Sequence, residues 1–315
     1  MQARPTSQKP KFTVLASGLG WHVEDLQRAA IKVGVELEPV LFQNLSIELK
    51  PSSGTLQPFS KTTSELIRAG AHLLNEQDAI LVRMMPPSGL ERVVFRMDVL
   101  HRLQESGVPI INPPRTIEMA VDKALSLARI GGAGIAVPET WIGESPDDAL
   151  IAFDRLGGDV VCKPIFGSEG RGLIRLQNRE MAWRVVHGLN QTGSVIYLQK
   201  FIDNDGFDLR IMILNGDVLA AMRRTAPAND FRTNVAQGAK AEILTNVPHE
   251  VSEIAIQVSR ITSGLILGVD LMQSRVDARW HVLEVNAVPG WRALSAVSGV
   301  DIAAEWLWAV HRGLK

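Results

Sequence analysis

"LILGVDLMQSRVDARWHVLEVNAVPG", residues 265–290, decides how the chain is read. Two apolar, β-rich runs flank the polar turn "SRVDAR", so the stretch reads as a β-hairpin. The midpoint between Asp270 and Glu284 falls at Asp277, inside that turn. A symmetric register sets the two carboxylates opposite each other, with Cβ atoms about 5 Å apart. Asn286 lies two residues further and shares the face of Glu284. Like charges so placed oppose pairing unless something positive lies between them. Two carboxylates and an amide oxygen make an incomplete shell for Mg²⁺, which shares its remaining positions with water and phosphate oxygens. A shifted register would leave three separate surface polar residues instead, and the hairpin alone does not choose.

Upstream, "VVCKPIFGSEGRG" (160–172) brings Lys163 off an apolar strand just before a loop holding Gly167, Ser168, Gly170 and Gly172. Glycines let backbone N–H groups approach phosphate oxygens, and a lysine there neutralises their charge. The loop lacks the Gly-Lys-Ser/Thr of a Walker A motif and the spacing of a dinucleotide fingerprint, so a plain hairpin loop is its bland alternative. Cys162 alternates away from Lys163 and is expected in the core. In "MRRTAPANDFRTNVAQG" (222–238), Arg223, Arg224 and Arg232 gather around a short loop ahead of Asn234. Such a run is a solvated basic face or an anion site, in which arginine binds phosphate or carboxylate bidentately and Asn offers an amide donor.

Around these stretches the pattern changes once. Before Pro114, "KFTVLAS", "VELEPVLF", "DAILVRMM" and "VPIINPP" read as strands. They alternate with helices at "HVEDLQRAAIKVG", "SELIRAGAHLLNEQ" and "LERVVFRMDVLHRLQESG", which implies parallel strands with crossover helices. The Ser-, Pro- and Gly-bearing stretch 49–60 reads as a loop. After Pro114, a helix "TIEMAVDKALSLARI" precedes the Gly-loop hairpin, the helix "REMAWRVVHGLN" and the strand "SVIYLQKFI". "FDLRIMILNGDVLAAMRR" (207–224) is the clearest hairpin, with Asn215-Gly216 at its tip. The closing "VDIAAEWLWAVHRGLK" reads as an amphipathic helix in which Trp306 and Trp308 pack. The expected fold class is α/β followed by antiparallel α+β.

Composition narrows the partners. The 315 residues carry 33 Lys plus Arg against 34 Asp plus Glu, which gives no electrostatic reason to expect nucleic acid or an anionic membrane. A single cysteine excludes an internal disulfide and fits a reducing compartment, so a cytoplasmic location is expected. The polar first ten residues read as a disordered arm.

Taken in order, "AVDKALSLARIGGAGIAVPET", "VVCKPIFGSEGRGLIRL", "YLQKFIDNDGFDLRIMILNGDVLAAMRR", "NDFRTNVAQGAKAE", "GVDLM" and "VLEVNAVPGW" resemble the ATP-grasp superfamily, and within it the RimK-like α-L-glutamate ligases. The resemblance covers about the last two-thirds of the chain, and the collinear order is more specific than any one motif. It implies an ATP-grasp fold with an N-terminal α/β pre-domain (11–115), a central lid domain (116–195) and a C-terminal antiparallel-sheet domain (196–315). By resemblance, Lys123 and Lys163 contact ATP phosphates, the loop Gly167–Gly172 closes over them, and Gln199, Lys200, Phe201 and Ile202 form the adenine-reading hinge. Asp270, Glu284 and Asn286 are then the Mg²⁺ ligands, with Mn²⁺ able to substitute, and Arg210, Arg232 and Asn234 sit at the acyl-phosphate.

The implied activity is an ATP- and Mg-dependent joining of glutamate, or another amino acid, to a small-molecule or peptide carboxylate, in a homo-oligomer. A small-molecule kinase and a non-catalytic nucleotide-binding partner are the rivals. The chain departs from the family pattern at Lys200, where the hinge usually carries an acid, at Ala236–Ala239 and at Trp291-Arg292. The last two segments should line the acceptor cleft, with Arg223, Trp291 and Arg292 as substrate contacts and Trp291 either a stacking face or a packing residue. "EVNAVPGWRAL" also resembles ATP-grasp proteins associated with tetrahydromethanopterin-linked one-carbon metabolism.

Overall fold

In the computed structural model, residues 9–49, 65–167 and 170–314 are described. Ser168, most of the expected N-terminal arm and most of the expected 49–60 loop fall outside them. The chain opens with β1 (Lys11–Ala16), α1 (Trp21–Val33) and β2 (Glu36–Leu41), then β3 (Leu45–Leu49), β4 (Glu65–Ala69) and β5 (His72–Leu73). β6 (Ala79–Val82), α2 (Leu90–Glu105) and β7 (Ile110–Ile111) follow. As the alternation implied, β2-β1-β6-β7 is a parallel sheet. The order reverses between β1 and β6, so the chain leaves these two strands in opposite directions at their C-terminal ends. Val23, Leu26, Ala29 and Ala30 form the buried stripe of α1, which ends where Gly34 takes a left-handed conformation (φ 82°).

The helix expected over 64–77 is not there. Residues 65–73 are instead β4, antiparallel to β3, a turn at Gly70, and β5, antiparallel to β4. Ile67 and Ala69 are buried on one face, a period of two that tertiary packing favours over helix propensity.

The next helix is also divided. α3 (Pro114–Val121) stops at Asp122, whose carboxylate accepts from the amides of Ala124 and Leu125 and so caps α4 (Lys123–Gly132). The break presents Lys123 at a helix start rather than in mid-helix.

β8 (Thr140–Gly143) and α5 (Pro146–Arg155), which the sequence reading passed over, precede β9 (Val160–Cys162), β10 (Ile174–Leu176), α6 (Arg179–Gln191) and β11 (Ile196–Lys200). The sheet β10-β9-β11-β8 closes its own core with α5 and α6, and Cys162 is buried in it. β11 belongs here by pairing, although the reading began the C-terminal unit at residue 196.

The remainder is β12 (Phe207–Leu214), β13 (Asp217–Thr225), β14 (Lys240–Ile243), α7 (His249–Thr262), β15 (Ile266–Gln273), β16 (Trp280–Asn286), α8 (Arg292–Ser298) and α9 (Ile302–Gly313). Its strands form the antiparallel sheet β14-β13-β12-β15-β16. Asn215 (φ 53°) and Gly216 (φ 87°) make the left-handed pair that a two-residue hairpin turn requires. Buried Asn112, just after β7, ties the parallel sheet to this one. Its amide donates to the carbonyls of Ile266 and Ala287, and its oxygen accepts from the amides of Leu265 and Ile266. No single described helix is long and apolar enough to cross a membrane.

Candidate active site

The faces of the middle and C-terminal sheets flank an open cleft with a cavity volume of about 120 Å³. Its lining gathers residues far apart in sequence: Lys123, Lys163, Gln199, Asn234, Asp270 and Glu284 among them. Gly167, Gly170, Lys200, Phe201, Ile202 and Arg232 of the expected set also line it, whereas Gly172, Arg210 and Asn286 lie outside the lining. Asp270 lies directly opposite Glu284, with the register shifted by one residue on the turn side of that pair.

On one wall stand two lysines. Lys163 donates to Gln199 Oε1 at 2.8 Å and lies 5.0 Å from the centre of the Tyr197 ring. Burial lowers its pKa to about 8, with Glu284 pulling it up and Lys123 pushing it further down. Lys123 Nζ donates to the carbonyls of Gly167 (2.8 Å) and Ile165 (3.3 Å), so it holds the base of the Gly-rich loop. Its pKa is also lowered, by burial first, against the pull of Glu284 and Asp122. At Gly170 (φ 71°) an added Cβ would collide with Asn234 Oδ1, so only glycine lets the loop lie on that side chain.

On the other wall, arginines meet carboxylates. Arg210 grips Asp270 with Nε and Nη2, the latter at 2.6 Å. Arg224 grips Asp208 through Nε (2.7 Å) and Nη2 (2.5 Å), and its Nη2 also lies 2.9 Å from Asp270. Thr233 Oγ1 donates to Asp208. Burial would raise Asp270, but the two guanidiniums outweigh it and hold the pKa at about 2. At Asp208 burial outweighs Arg224 and raises the pKa. Here lies the positive charge that the facing carboxylates required: Arg210 Nη2 is also 3.8 Å from Glu284. Asn286 donates to Glu284 Oε1 at 3.1 Å.

Several expectations are corrected. Arg223 is exposed, with its guanidinium 3.7 Å from the Phe207 ring centre; strand alternation turns it from the cleft and turns Arg224 in. Trp291 is 0% exposed and offers no stacking face. Its Nε1 donates to Asp25 (2.8 Å), its ring meets Trp306 edge-on at 5.7 Å, and it packs with the C-terminal helix. Arg292 is exposed, 5.6 Å from the Trp21 ring centre and away from the cleft. Within 236–239, Ala239 is buried and none of the four residues lines the cleft. Lys200 pairs with Glu139 at 3.2 Å, so its ammonium is directed to a surface carboxylate. Asp208 and Thr233 are cleft residues absent from the expected set, and Arg224, named only within the basic run, is the arginine of that pair that enters the cleft.

Architecture and cleft together define the class: a nucleotide-dependent enzyme of ATP-grasp fold. The ATP-grasp ligase PsnB, solved with a minimal precursor, Mg and ADP, superimposes with a TM-score of 0.73 over 99% of this chain and 100% of its own, at 18% identity. The RimK-like ATP-grasp domain model matches residues 120–310. The chain therefore belongs to the RimK-like ATP-grasp family. It is 27% identical over 309 residues to the tetrahydromethanopterin:alpha-L-glutamate ligase of Methanosarcina acetivorans, covering 90% of this chain and 93% of that protein. It is 30% identical over 231 residues to a ribosomal protein bS6--L-glutamate ligase of Escherichia coli, covering 73% and 76%.

Proposed function

We propose that the protein is an ATP- and Mg²⁺-dependent carboxylate–amine ligase that adds glutamate to an acceptor carboxylate. The observation that carries the reading is the single cleft in which lysines from two segments face a carboxylate pair from one hairpin. The likeness to α-L-glutamate ligases along most of the chain supports glutamate as the amine.

An acceptor carboxylate oxygen attacks the γ-phosphorus of ATP and the bridging P–O bond to ADP breaks. The glutamate amine then attacks the acyl carbon, the C–O bond to phosphate breaks, and the ammonium proton is lost. Lys163 and Lys123 would neutralise the phosphates, and the loop from Gly167 would lie over them. Gln199 through Ile202 would meet the base. Arg232 and Asn234 would face the transferred phosphoryl group, where donors placed before reaction lower the barrier most.

Glu284 and Asn286 offer oxygens of the kind a hard divalent cation takes, and Asp270 offers a third once Arg210 yields part of its grip. Magnesium bound there would neutralise charge on the phosphates, and manganese accepts the same oxygen set. Arg224 and Asp208 would position Asp270 rather than touch substrate. A tetrahydropterin-type acceptor follows the relative from Methanosarcina acetivorans. Its ring would have to find another platform than Trp291. Residues 116–195 would act as a central lid on a C-terminal catalytic unit of residues 196–315, in a cytoplasmic homo-oligomer. The test is a screen for ADP release that requires both an amino acid and a carboxylate, with mass spectrometry of the product. A product equal in mass to both substrates less one water is expected; ADP release indifferent to the amino acid would overturn the ligase reading.

A further inference from the structure

Arg83, one residue beyond the end of β6, is 6% exposed, and among the described residues no carboxylate pairs with it. Its Nη1 donates to the carbonyl of Pro289 at 2.9 Å, and its guanidinium lies 4.5 Å from the Trp291 ring centre. The other guanidinium donors have no acceptor among the described residues. Burial lowers its pKa to about 9 with no anion to oppose the shift. A buried guanidinium without a counter-charge is costly, and groups perturbed in this way cluster at functional sites.

Its position is specific. β1 and β6 are the neighbours between which the parallel sheet reverses order, and the crevice outside their C-terminal ends is where open α/β sheets bind ligands. Across that crevice the exposed loop Gly18–Gly20 leads into α1, a 13-residue helix whose N-cap glycine supplies no side-chain cap. Gly20 O takes the amides of Val23 and Glu24, leaving those of Trp21 and His22 at the positive end of the helix. The His22 ring sits 4.6 Å from the Trp291 ring that Arg83 covers, and His22 accepts the Trp291 amide, so it adds no positive charge. Asp25, the nearby acid, is already bonded to Trp291 Nε1 and Arg28.

The crevice adjoins the cleft. A Cβ at Gly268 would lie 3.1 Å from Pro289 and 3.3 Å from Arg210, so Pro289, whose carbonyl Arg83 holds, and Arg210 both lie close to Gly268.

We propose that Arg83 and the uncapped start of α1 hold a carboxylate of one of the two substrates, the one that is not activated. The assignment rests on the ligase reading, but its test reads binding, not turnover. The full-length protein, with Mg²⁺ and an ATP analogue bearing a β,γ-imido bridge, is titrated calorimetrically with L-glutamate and with glutarate as a minimal acceptor. Arg83→Gln should weaken at least one of them about tenfold or more, since it removes the charge that strengthens the hydrogen bonds to the carboxylate. Arg83→Lys should recover part of the loss.

A weaker L-glutamate assigns the carboxylate to the amine substrate. A weaker glutarate that L-glutamate does not displace assigns it to the acceptor. Binding of both undiminished in a folded variant, or of neither to the unaltered protein, overturns the proposal. Should Arg83→Gln fail to fold, Arg83→Lys carries the test, with a several-fold loss at unchanged melting temperature expected and unchanged affinity overturning it. ADP release is scored separately, so the ligase can stand while this site falls.

Discussion

The two walls of the cleft both carry cations, but they hold them differently. Lys123 and Lys163 bond only to carbonyl or amide oxygens among the described residues, and burial lowers both pKa values. Arg210 and Arg224 are locked to Asp270 and Asp208 by paired hydrogen bonds. The lysine wall can therefore receive phosphates without giving up a counter-ion. The arginine wall has already neutralised its own carboxylates, so its charge sets geometry. Glu284, only 3.8 Å from Arg210 and bonded to Asn286, stands between the two.

The widest expected difference is between the facing carboxylates. Asp270→Asn leaves buried Arg210 without the carboxylate it grips and should cost about 3–5 kcal/mol of stability as well as turnover. Glu284→Gln loses one longer ion pair at a partly open position, so its melting temperature should hold while turnover falls about 10²–10³-fold. Equal melting temperatures for the two variants would erase the distinction between the walls.

Next in size is the lysine wall. Lys163→Ala should raise the ATP KM about tenfold or more. In the unaltered protein, the ammonium is the form that attracts phosphate, and it persists below a pKa of about 8. kcat/KM for ATP reports the free enzyme, so it should decline as pH rises through about 8, and Lys163→Arg should remove that limb. A profile flat to pH 9.5 would mean Lys163 is not the group that titrates.

Trp291→Ala should lower stability by about 3–5 kcal/mol, the usual cost of emptying a buried tryptophan site, while KM for ATP stays unchanged. The smallest effect is expected at Arg223→Ala. Its side chain faces away from the cleft, so stability should stay within about 0.5 kcal/mol and both substrate KM values within about twofold.

The difference between Arg223 and Arg224 also shows where sequence reading runs out. A symmetric hairpin about Asn215-Gly216 pairs Asp208 with Arg223. A β-bulge between Met212 and Ile213 shifts the register, so Asp208 meets Arg224 instead. The extra residue is Leu219, and nothing in the run "DVLAAM" marks it. The second hairpin also has an irregularity: nearer the turn the strands pair one residue off the symmetric register, and a bulge at Leu283 brings Glu284 opposite Asp270. Collinear motifs carried the fold and Lys123, Lys163 and Asn234 into one cleft. They could not foresee the Asp122 cap that divides α3 from α4, nor the strand at 65–69, because capping and sheet pairing depend on partners far along the chain. Trp291 was ambiguous for the same reason: only Asp25 and Trp306, from the two ends of the chain, decide that it packs inward.

The account is tested most directly by the phosphorus products of turnover. With Mg²⁺, L-glutamate and a panel of carboxylates, a phosphoryl-transfer ligase yields ADP and inorganic phosphate. Hydroxylamine in place of glutamate should trap the activated acceptor as a hydroxamate. ³¹P spectra of the mixture should show both nucleotide and phosphate resonances growing together, at equal rates. AMP with pyrophosphate, or a phosphate ester on an acceptor hydroxyl, would contradict it.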